Sequence, residues 1–517
     1  MNEQPYSRRW LALAVLALSL VVIGMDNTIL NVALPTLVRD LNASASELQW
    51  IVDSYVLVFA GLLLTMGALG DRFGRKLALL LGMVIFAVAS TGSAWASSPE
   101  LLIATRAAMG IGAALIMPST LSIITEIFPP DERGRAIAAW AALAGLGIVA
   151  GPVIGGWLLE NYWWGSIFLV NLPIILLALV AGYALVPESK DPEATPLDPT
   201  GAALSIAGLS ALVFGIIEAP DRGWTDGVTL AAFGLAALLL GAFVAWELRS
   251  KHPMLRISFF KNPRFTAASI AITLIFFALF GAIFVLTQHL QFVLGYSALE
   301  AGFRVTPIAT LVIGAPIAAR VVERIGTKAV VTAGLTVVAI ALWLLSGVDI
   351  DSGYVPIGWA LALMGLGMGA TMAPATDSIM GSLPLAKAGV GSAMNDTTRM
   401  VGGALGVAVI GSVLSSSYGE AMGPAVSNLP APAAATASDS VGAALAIAGR
   451  IGPQAGDLIQ AARSAYVESM GDAVIIAAAA ALLGAIVALA FLPAKPHDIE
   501  TRPDEVVARP LETVAAR

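Results

Sequence analysis

Fourteen apolar runs dominate this chain of 517 residues. A helix needs roughly 20 apolar residues to cross about 30 Å of hydrocarbon. The runs lie near residues 10–34, 50–70, 77–96, 100–120, 136–158, 164–186, 200–220, 227–247, 266–290, 303–320, 328–347, 355–380, 391–416 and 473–492. They do not alternate polar and apolar residues, so they predict helices rather than barrel strands. We therefore expect an all-α polytopic membrane protein with fourteen transmembrane helices.

The composition excludes several classes of protein. Hydrophobic residues make up 58% of the chain and charged residues only 12%, whereas soluble proteins average about 25% charged residues. A net charge of -7 leaves no basic face for nucleic acid. The chain has no cysteine, its histidines (His252, His289 and His497) are scattered, and it contains no Gly-x-x-x-x-Gly-Lys-Ser/Thr phosphate loop. We expect no metal site, no cofactor, no enzyme and no ATP-driven pump.

The basic residues predict the orientation in the membrane. Of the 28 Lys and Arg residues, 21 fall in loops and tails on the side that holds both termini, and four fall in loops on the other side. Positive charge marks the cytoplasmic side, so we expect a multi-pass protein of the cytoplasmic (inner) membrane with both termini cytoplasmic. Arg8 and Arg9 precede a run that continues to Leu34 without a clear cleavage site, which predicts an uncleaved span rather than a signal peptide.

The chain repeats itself at an offset of about 250 residues. Residues 71–76 (DRFGRK) recur as 323–328 (ERIGTK), and residues 109–112 (MGIG) recur as 364–367 (MGLG). Parallel repeats are a plan of membrane transporters, with substrate handled where the halves meet. We expect two parallel six-helix halves with two helices inserted between them.

The repeat and the polar breaks also predict the domain boundaries. The predicted domains are an N-terminal half at 1–190, inserted helices and linker at 191–260, a C-terminal half at 261–494 with an outer loop at 417–472, and a tail at 495–517. The outer loop contains apolar and amphipathic stretches and is expected to be structured. The tail is polar and broken by proline, which predicts a disordered cytoplasmic segment.

The break between the second and third runs reads GALGDRFGRK over residues 67–76. Its glycines let two helix ends come close, and one acid beside three cations can exchange ion-pair partners as two halves move. The alternative is a basic loop that only sets the orientation. The residues concerned are Gly67, Asp71, Arg72, Gly74, Arg75 and Lys76. This block resembles the loop motif of the major facilitator superfamily.

Four further blocks resemble the fourteen-helix drug/proton antiporter branch of that superfamily, which includes exporters of quaternary ammonium compounds. They are MDNTILNVALP at 25–35, RAAMGIG at 106–112, GIVAGPVIGG at 147–156, and WGSIF at 164–168 followed by NLP at 171–173. The resemblance covers nearly the whole chain and is weakest over 417–517. It implies the major facilitator fold and proton-coupled efflux by alternating access.

A stripe of glycines marks the fifth run. Gly147, Gly151 and Gly155 recur every four residues and form one smooth face for close helix contact. Pro152 removes a backbone hydrogen bond and predicts a kink. Close packing alone is one interpretation. The resemblance implies, for this stripe and Gly156, a seam that prevents proton leakage during exchange.

Ionisable side chains inside the spans carry the main functional signal, because a charge near the bilayer centre costs a few kcal/mol. Asp26 lies sixteen residues into the first run, and Asp53 lies near the outer end of the second. These carboxylates could share one cavity, where an acid binds a proton or a cation but seldom both. The alternatives are a structural acid at Asp26 and a polar cap at Asp53. The resemblance implies that both take part in coupling or cation recognition.

Other charged residues have two interpretations each. Arg106, a permanent cation in the fourth run, is either the counter-ion of one of these acids or, as the resemblance implies, a modulator of proton transfer. Asp396 and Arg399 are three residues apart, so they form either a self-neutralising pair or a second acidic site. Asp377 is either a further member of this possible second acidic site or, as its position favours, a residue at the membrane interface, and His289 is expected in contact with water.

Together these features favour a proton-driven efflux pump for amphipathic, mostly cationic compounds, a function that would confer antibiotic resistance. Its expected partners are small molecules, protons and the lipid bilayer, with no obligate protein partner and the proton gradient as energy source. A dedicated exporter of one natural product or lipid fits the same residues. A channel is disfavoured by the repeat.

Overall fold

The computed structural model describes residues 7–190, 198–253, 255–382, 388–451 and 455–493, and these fold almost entirely into α-helices. Thirteen helices are long and apolar enough to cross a membrane. The helix Pro130–Asn161, 32 residues long, coincides with the remaining predicted run. The predicted all-α fold is confirmed, while the predicted tail at 495–517 lies outside the described residues.

The helices form two halves with an insertion between them. The N-terminal half contains α1 (Arg9–Asp40), α2 (Ala45–Phe73), α3 (Arg75–Ala94), α4 (Pro99–Ile127), α5 (Pro130–Asn161), α6 (Ser166–Leu169) and α7 (Asn171–Leu185). The inserted helices are α8 (Pro199–Arg222) and α9 (Gly227–Arg249). The C-terminal half contains α10 (Pro263–Gln288), α11 (Ala298–Val305), α12 (Leu311–Ile325), α13 (Thr327–Ser346), α14 (Val355–Gly381), α15 (Ala388–Val426), α16 (Ala431–Asp439), α17 (Val441–Ile451) and α18 (Gly456–Phe491).

The two halves use the same local signals at related positions. Ser44 caps α2 and Ser297 caps α11, each in a capping box with a glutamate three residues later. Gly74 and Gly326 have φ angles of 127° and 85°, which only glycine adopts readily, and they turn the chain between α2 and α3 and between α12 and α13. The sequence repeat is therefore present in the backbone.

Helix contacts repeat in the same way. A Cβ atom on Gly151 of α5 would stand 2.7 Å from the backbone oxygen of Met25 on α1. A Cβ atom on Gly406 of α15 would stand still closer to the backbone oxygen of Phe277 on α10. Small residues allow this backbone approach in membrane helices, so the two halves share a glycine-lined helix pair at related positions.

The bundle has two ends. We define the terminus face as the end that holds Arg9, Gly74 and Phe491, and the opposite face as the other end. Three hydrogen bonds join the halves at the opposite face: Gln291 Nε2 to Val32 O at 2.9 Å, Ala45 N to Asp439 Oδ2 at 3.3 Å, and Leu299 N to Glu160 Oε1 at 3.3 Å. The opposite-face ends of the two halves are therefore in direct contact.

The segment 417–472 is helical over most of its length. It comprises the end of α15, the short helices α16 and α17, and the start of α18. The Tyr418 hydroxyl donates to the backbone oxygen of Ala437 at 3.2 Å. Gly442 at the start of α17 packs between Val38 of α1 and Phe292. The short helices consequently lie across both halves at the opposite face.

Asp439 is a titratable group at this junction. Burial raises the pKa of Asp439 from the ordinary 3.8 to about 6, the charge of Asp221 adds to the rise, and the hydrogen bond from Ala45 opposes it. The raised pKa means that the closed junction favours the protonated acid. Its stabilising contribution is therefore complete below about pH 4 and is lost as the pH rises through about 6.

We predict that Asp439→Asn raises the midpoint of thermal unfolding at pH 7 and leaves it unchanged at pH 4, because the amide is neutral at both values. Unfolding scans of the purified protein in detergent at the two pH values measure the effect. Asp40→Asn, at an exposed position, is the control and should shift neither midpoint. A lower midpoint for Asp439→Asn at pH 7 would contradict the assignment.

Candidate functional site

An ion pair is buried between α1 and α4. Arg106 Nη1 donates to Asp26 Oδ2 at 2.5 Å, and the two side chains are 2% and 0% exposed. Asp26 lies about 26 Å along α1 from its first residue, near the middle of the helix. Of the two acids considered as counter-ions from the sequence, Asp26 is the one that Arg106 contacts.

The guanidinium of Arg106 also binds α2. Its Nε donates to the backbone oxygen of Ile51 at 3.2 Å. Its Cζ lies 4.4 Å from the centre of the Tyr55 ring, within the range of a cation–π contact. Tyr55 was not identified from the sequence, although it lies one turn after Ile51 on the same side of α2. Three helices thus meet at one cation.

Asp53 lies on another side of α2. It is two residues from both Ile51 and Tyr55, and at about 100° per residue this spacing turns it away from Arg106. Gln49, one turn earlier on the side of Asp53, packs against Gly411 of α15. Helix geometry therefore directs Asp53 toward the C-terminal half and away from Arg106. That Asp26 and Asp53 share one cavity stays a prediction.

Asp53 has an unusual environment for a carboxyl group. It is 0% exposed, and neither oxygen has a hydrogen-bond partner among the described residues. An ionised carboxylate in such a place costs several kcal/mol unless a cation or hydrogen-bond donors compensate it. Asp53 is therefore suited to hold a proton in this conformation, whereas Asp26 has its charge balanced by Arg106.

The glycine stripe of α5 packs along α1. Gly147, Gly151 and Gly155 contact Val21, Met25 and Ile29 in turn. Pro152 has no N–H, so the backbone oxygen of Ile148 loses its partner within α5. The Thr28 hydroxyl of α1 donates to that oxygen at 2.9 Å. Thr28, two residues after Asp26, therefore supplies the hydrogen bond that the backbone oxygen of Ile148 lacks within α5.

The seam continues from α5 into the other half. A Cβ atom on Gly156 would stand 2.5 Å from the backbone oxygen of Ala298 at the start of α11. A Cβ atom on Gly302 of α11 would stand still closer to the backbone oxygen of Pro152. The same stretch of α5 therefore touches α1 on one side and the C-terminal half on the other.

The predicted loop motif is folded against its own half. Arg75 Nε lies 2.7 Å from Asp71 Oδ1, and Arg75 Nη1 lies 2.6 Å from Glu126 Oε2 of α4. Lys76 Nζ donates to the backbone oxygen of Tyr183 at 2.9 Å. Gly67 packs on Pro118 of α4, Gly74 makes the turn, and Arg72 is exposed over the Phe73 ring. One arginine thus bridges two acids at the terminus face.

The charged pair of α15 is looser than that of α1 and α4. Arg399 Nη1 lies 3.7 Å from Asp396 Oδ1, and Arg399 Nη2 lies 3.2 Å from the hydroxyl of Thr376 on α14. Asp396 is 6% exposed, while Asp377 is exposed near the end of α14. The geometry therefore brings Asp396 and Arg399 together and leaves Asp377 apart from them.

The position of His289 contradicts the expectation that this side chain contacts water. It is 0% exposed, and its ring lies 6.4 Å from that of Tyr466 on α18. A π-helical turn over His289–Val293 follows α10 at this point. A hydropathy pattern does not reveal such a turn, because the signal for it is local backbone geometry.

We predict strong coupling between Asp26 and Arg106 in a double-mutant cycle. Arg106→Gln alone should lower the free energy of unfolding by about 3–5 kcal/mol, because it leaves a buried charge without a partner. The double variant Asp26→Asn/Arg106→Gln should recover much of that loss. Denaturant unfolding in detergent measures each variant. Additive effects of the two substitutions would show that the pair is not the source of the stability.

Comparison with known proteins adds an independent result. The family model described as Major Facilitator Superfamily matches residues 16–407. The multidrug efflux pump LfrA of Mycolicibacterium smegmatis is 38% identical over 495 residues, which cover 94% of this chain and 97% of that protein. The tetracenomycin C resistance and export protein of Streptomyces glaucescens is 33% identical, with coverage of 96% and 94%. The methyl viologen resistance protein SmvA of Salmonella typhimurium is 35% identical, with coverage of 93% and 97%.

Solved structures support the same fold. A bacterial homologue of the human lysosomal transporter Spinster, in an inward-facing and unoccupied conformation, superposes with a TM-score of 0.66 at 19% identity, covering 94% of this chain and 98% of that one. At this identity the likeness concerns the fold alone. The family match and the long relatives also agree with a transporter rather than an enzyme. The chain belongs to the major facilitator superfamily.

Proposed function

We propose that this protein is a proton-driven exporter of amphipathic, mostly cationic compounds, and that it resides in the cytoplasmic membrane with both termini in the cytoplasm. The observation that carries the proposal is the difference between two buried acids. Asp26 forms an ion pair with Arg106, whereas neither oxygen of Asp53 has a hydrogen-bond partner among the described residues. Intramembrane acids in transporters mark ion and proton pathways.

The relatives support the choice of substrate class. They include proteins named for multidrug efflux and for resistance to methyl viologen. An acid within a membrane bundle can attract a cation whose remaining surface is apolar, because charge and hydrophobic contacts act together. We infer that a cation reaching Asp26 competes with Arg106 and that a cation reaching Asp53 competes with a proton.

The conformation fits one step of alternating access. Basic residues are concentrated at the terminus face, which indicates that this face is cytoplasmic. The halves are in contact at the opposite face, so the conformation corresponds to an exporter closed toward the outside. A substrate then enters from the cytoplasm, and protons that enter from outside in the outward-facing state drive its release.

The loop at 67–76 has a role in the same cycle. Arg75 is shared between Asp71 and Glu126 in this conformation. A cation held by two acids of its own half can exchange one of them when the halves move. We propose that this exchange helps to set the balance between inward-facing and outward-facing states.

A dedicated exporter of one natural product is the second candidate. The relative from Streptomyces glaucescens, named for tetracenomycin C resistance and export, favours it. Both candidates use the same proton-coupled mechanism. They differ in the range of compounds transported, so a substrate panel of cationic and neutral compounds distinguishes them.

We predict that proteoliposomes with the natural chain accumulate a propidium-like dication when a pH gradient is imposed, and that Asp53→Asn abolishes this gradient-driven movement. The amide resembles the protonated acid but cannot release a proton. Asp26→Asn should also abolish it, by removing the charge that balances Arg106. Fluorescence of the dication measures its uptake into the proteoliposomes.

The controls separate coupling from folding. Asp40→Asn, at an exposed position, should transport like the natural chain. Exchange of labelled for unlabelled dication without a gradient should survive in Asp53→Asn, which shows that the protein is folded and binds substrate. Gradient-driven uptake by Asp53→Asn at the natural rate would refute the coupling role of that residue.

A further inference from the structure

Two buried carboxyl groups meet between the inserted helices at the terminus face. Asp198 caps the start of α8, and Glu247 lies in the last turn of α9. They are 7% and 3% exposed. Glu247 Oε1 and Asp198 Oδ2 both lie within 2.8 Å of the point where a Cβ atom on Gly201 would stand. The absence of a side chain at Gly201 therefore leaves room for the two carboxyl groups to face each other.

Nearly every oxygen of this pair has a donor. Asp198 Oδ1 accepts from Gly201 N and from Trp246 Nε1, both at 2.8 Å, and the same indole nitrogen lies 3.1 Å from Oδ2. Glu247 Oε2 accepts from the backbone N–H of Leu255 at 3.0 Å. Glu247 Oε1 is buried without a hydrogen-bond partner in the described part of the chain. The unsatisfied oxygen is the one beside Asp198.

One proton resolves both problems of this arrangement. Two ionised carboxylates side by side in a buried site repel each other, and a buried polar atom without a partner costs about 1–3 kcal/mol. A proton on Glu247 Oε1 removes one charge and supplies a donor to Asp198. We propose that Asp198 and Glu247 bind one proton between them, as a site separate from the acids of the transport pathway.

Loss of this proton would weaken the attachment of the segment that connects α9 to the C-terminal half. Within the described part of the chain, Glu247 accepts a single hydrogen bond, from Leu255, so it is the weaker-held partner and moves when the pair ionises. A cavity of about 350 Å³ beside the pair is lined by the cations of Arg249 and Lys251, which attract an ionised carboxylate, and by His252. Leu255 is then released. The other cations of this connection, Arg256 and Lys261, are exposed.

The segment between α9 and α10 is short and leads into the C-terminal half. Leu255 lies between α9 and α10, the first helix of the C-terminal half. A short 3₁₀ helix over Ile257–Lys261 packs on α9 between them. Ionisation of Asp198 and Glu247 therefore makes the segment between the inserted helices and the C-terminal half more mobile, and this half moves during alternating access.

Hydrogen exchange of the segment 250–256 tests the proposal in the full-length protein. After correction for the intrinsic exchange rate, we expect protection in the natural chain to fall by up to about tenfold per pH unit as the pair loses its proton. Glu247→Gln, which resembles the protonated acid, should remain protected at every pH. Glu188→Gln is the control, since that side chain is 79% exposed, and should behave like the natural chain.

A second variant and a second readout keep the test decisive. Gly201→Ala places a methyl group against both carboxyl groups and should lower protection at every pH without removing either acid. Infrared difference spectra should contain a protonated-carboxyl band that Glu247→Gln removes. Protection that is independent of pH in the natural chain, or equally pH-dependent in Glu247→Gln, would overturn the proposal. Neither readout requires transport, so such a failure would leave the proposed export function intact.

Discussion

Arg106 is a permanent cation inside a membrane-spanning bundle, and much of the N-terminal half is arranged around its charge. Asp26 of α1 supplies the counter-charge, and α2 supplies a backbone oxygen from Ile51 and the ring of Tyr55. An arginine keeps its charge in proteins, so only its partners can change. Protonation of Asp26, or arrival of a substrate cation, would therefore require these three helices to rearrange around the same guanidinium.

We propose that α5 is the helix that responds to such a change. It is packed along α1 through glycines, and its proline break is repaired by Thr28, two residues from Asp26. The same stretch contacts α11 of the other half through Gly156 and Gly302. Because α5 touches both α1 and the C-terminal half, a shift of α1 at Asp26 reaches the boundary between the halves within one helix diameter. Close packing of the stripe is observed, while the seam against proton leakage that the resemblance implies stays a prediction that would use the same contacts.

Hydropathy was sufficient to predict the spans, because lipid requires each one to satisfy its own backbone and to be apolar over its length. The repeat of residues 71–76 at 323–328 is matched in the structure by paired turns at Gly74 and Gly326, since a positive φ selects glycine at both positions. Spacing predicted the pairing of Asp396 with Arg399, but the sequence left open whether Asp26 or Asp53 is the partner of Arg106. The choice depends on the rotation of α2, which turns Asp53 away from Arg106. The burial of His289 depends on a π-helical turn that leaves no hydropathy signal.

The central claim is that a cationic substrate and a proton exclude each other in the buried acids of this bundle. Calorimetric titration of the purified protein with the dication, in buffers of the same pH but different ionisation enthalpy, tests it without a membrane or a gradient. The account predicts a binding heat that depends on the buffer, which reports protons released as the cation binds, and predicts that this dependence disappears in Asp53→Asn. A binding heat that is the same in every buffer for the natural chain would contradict it.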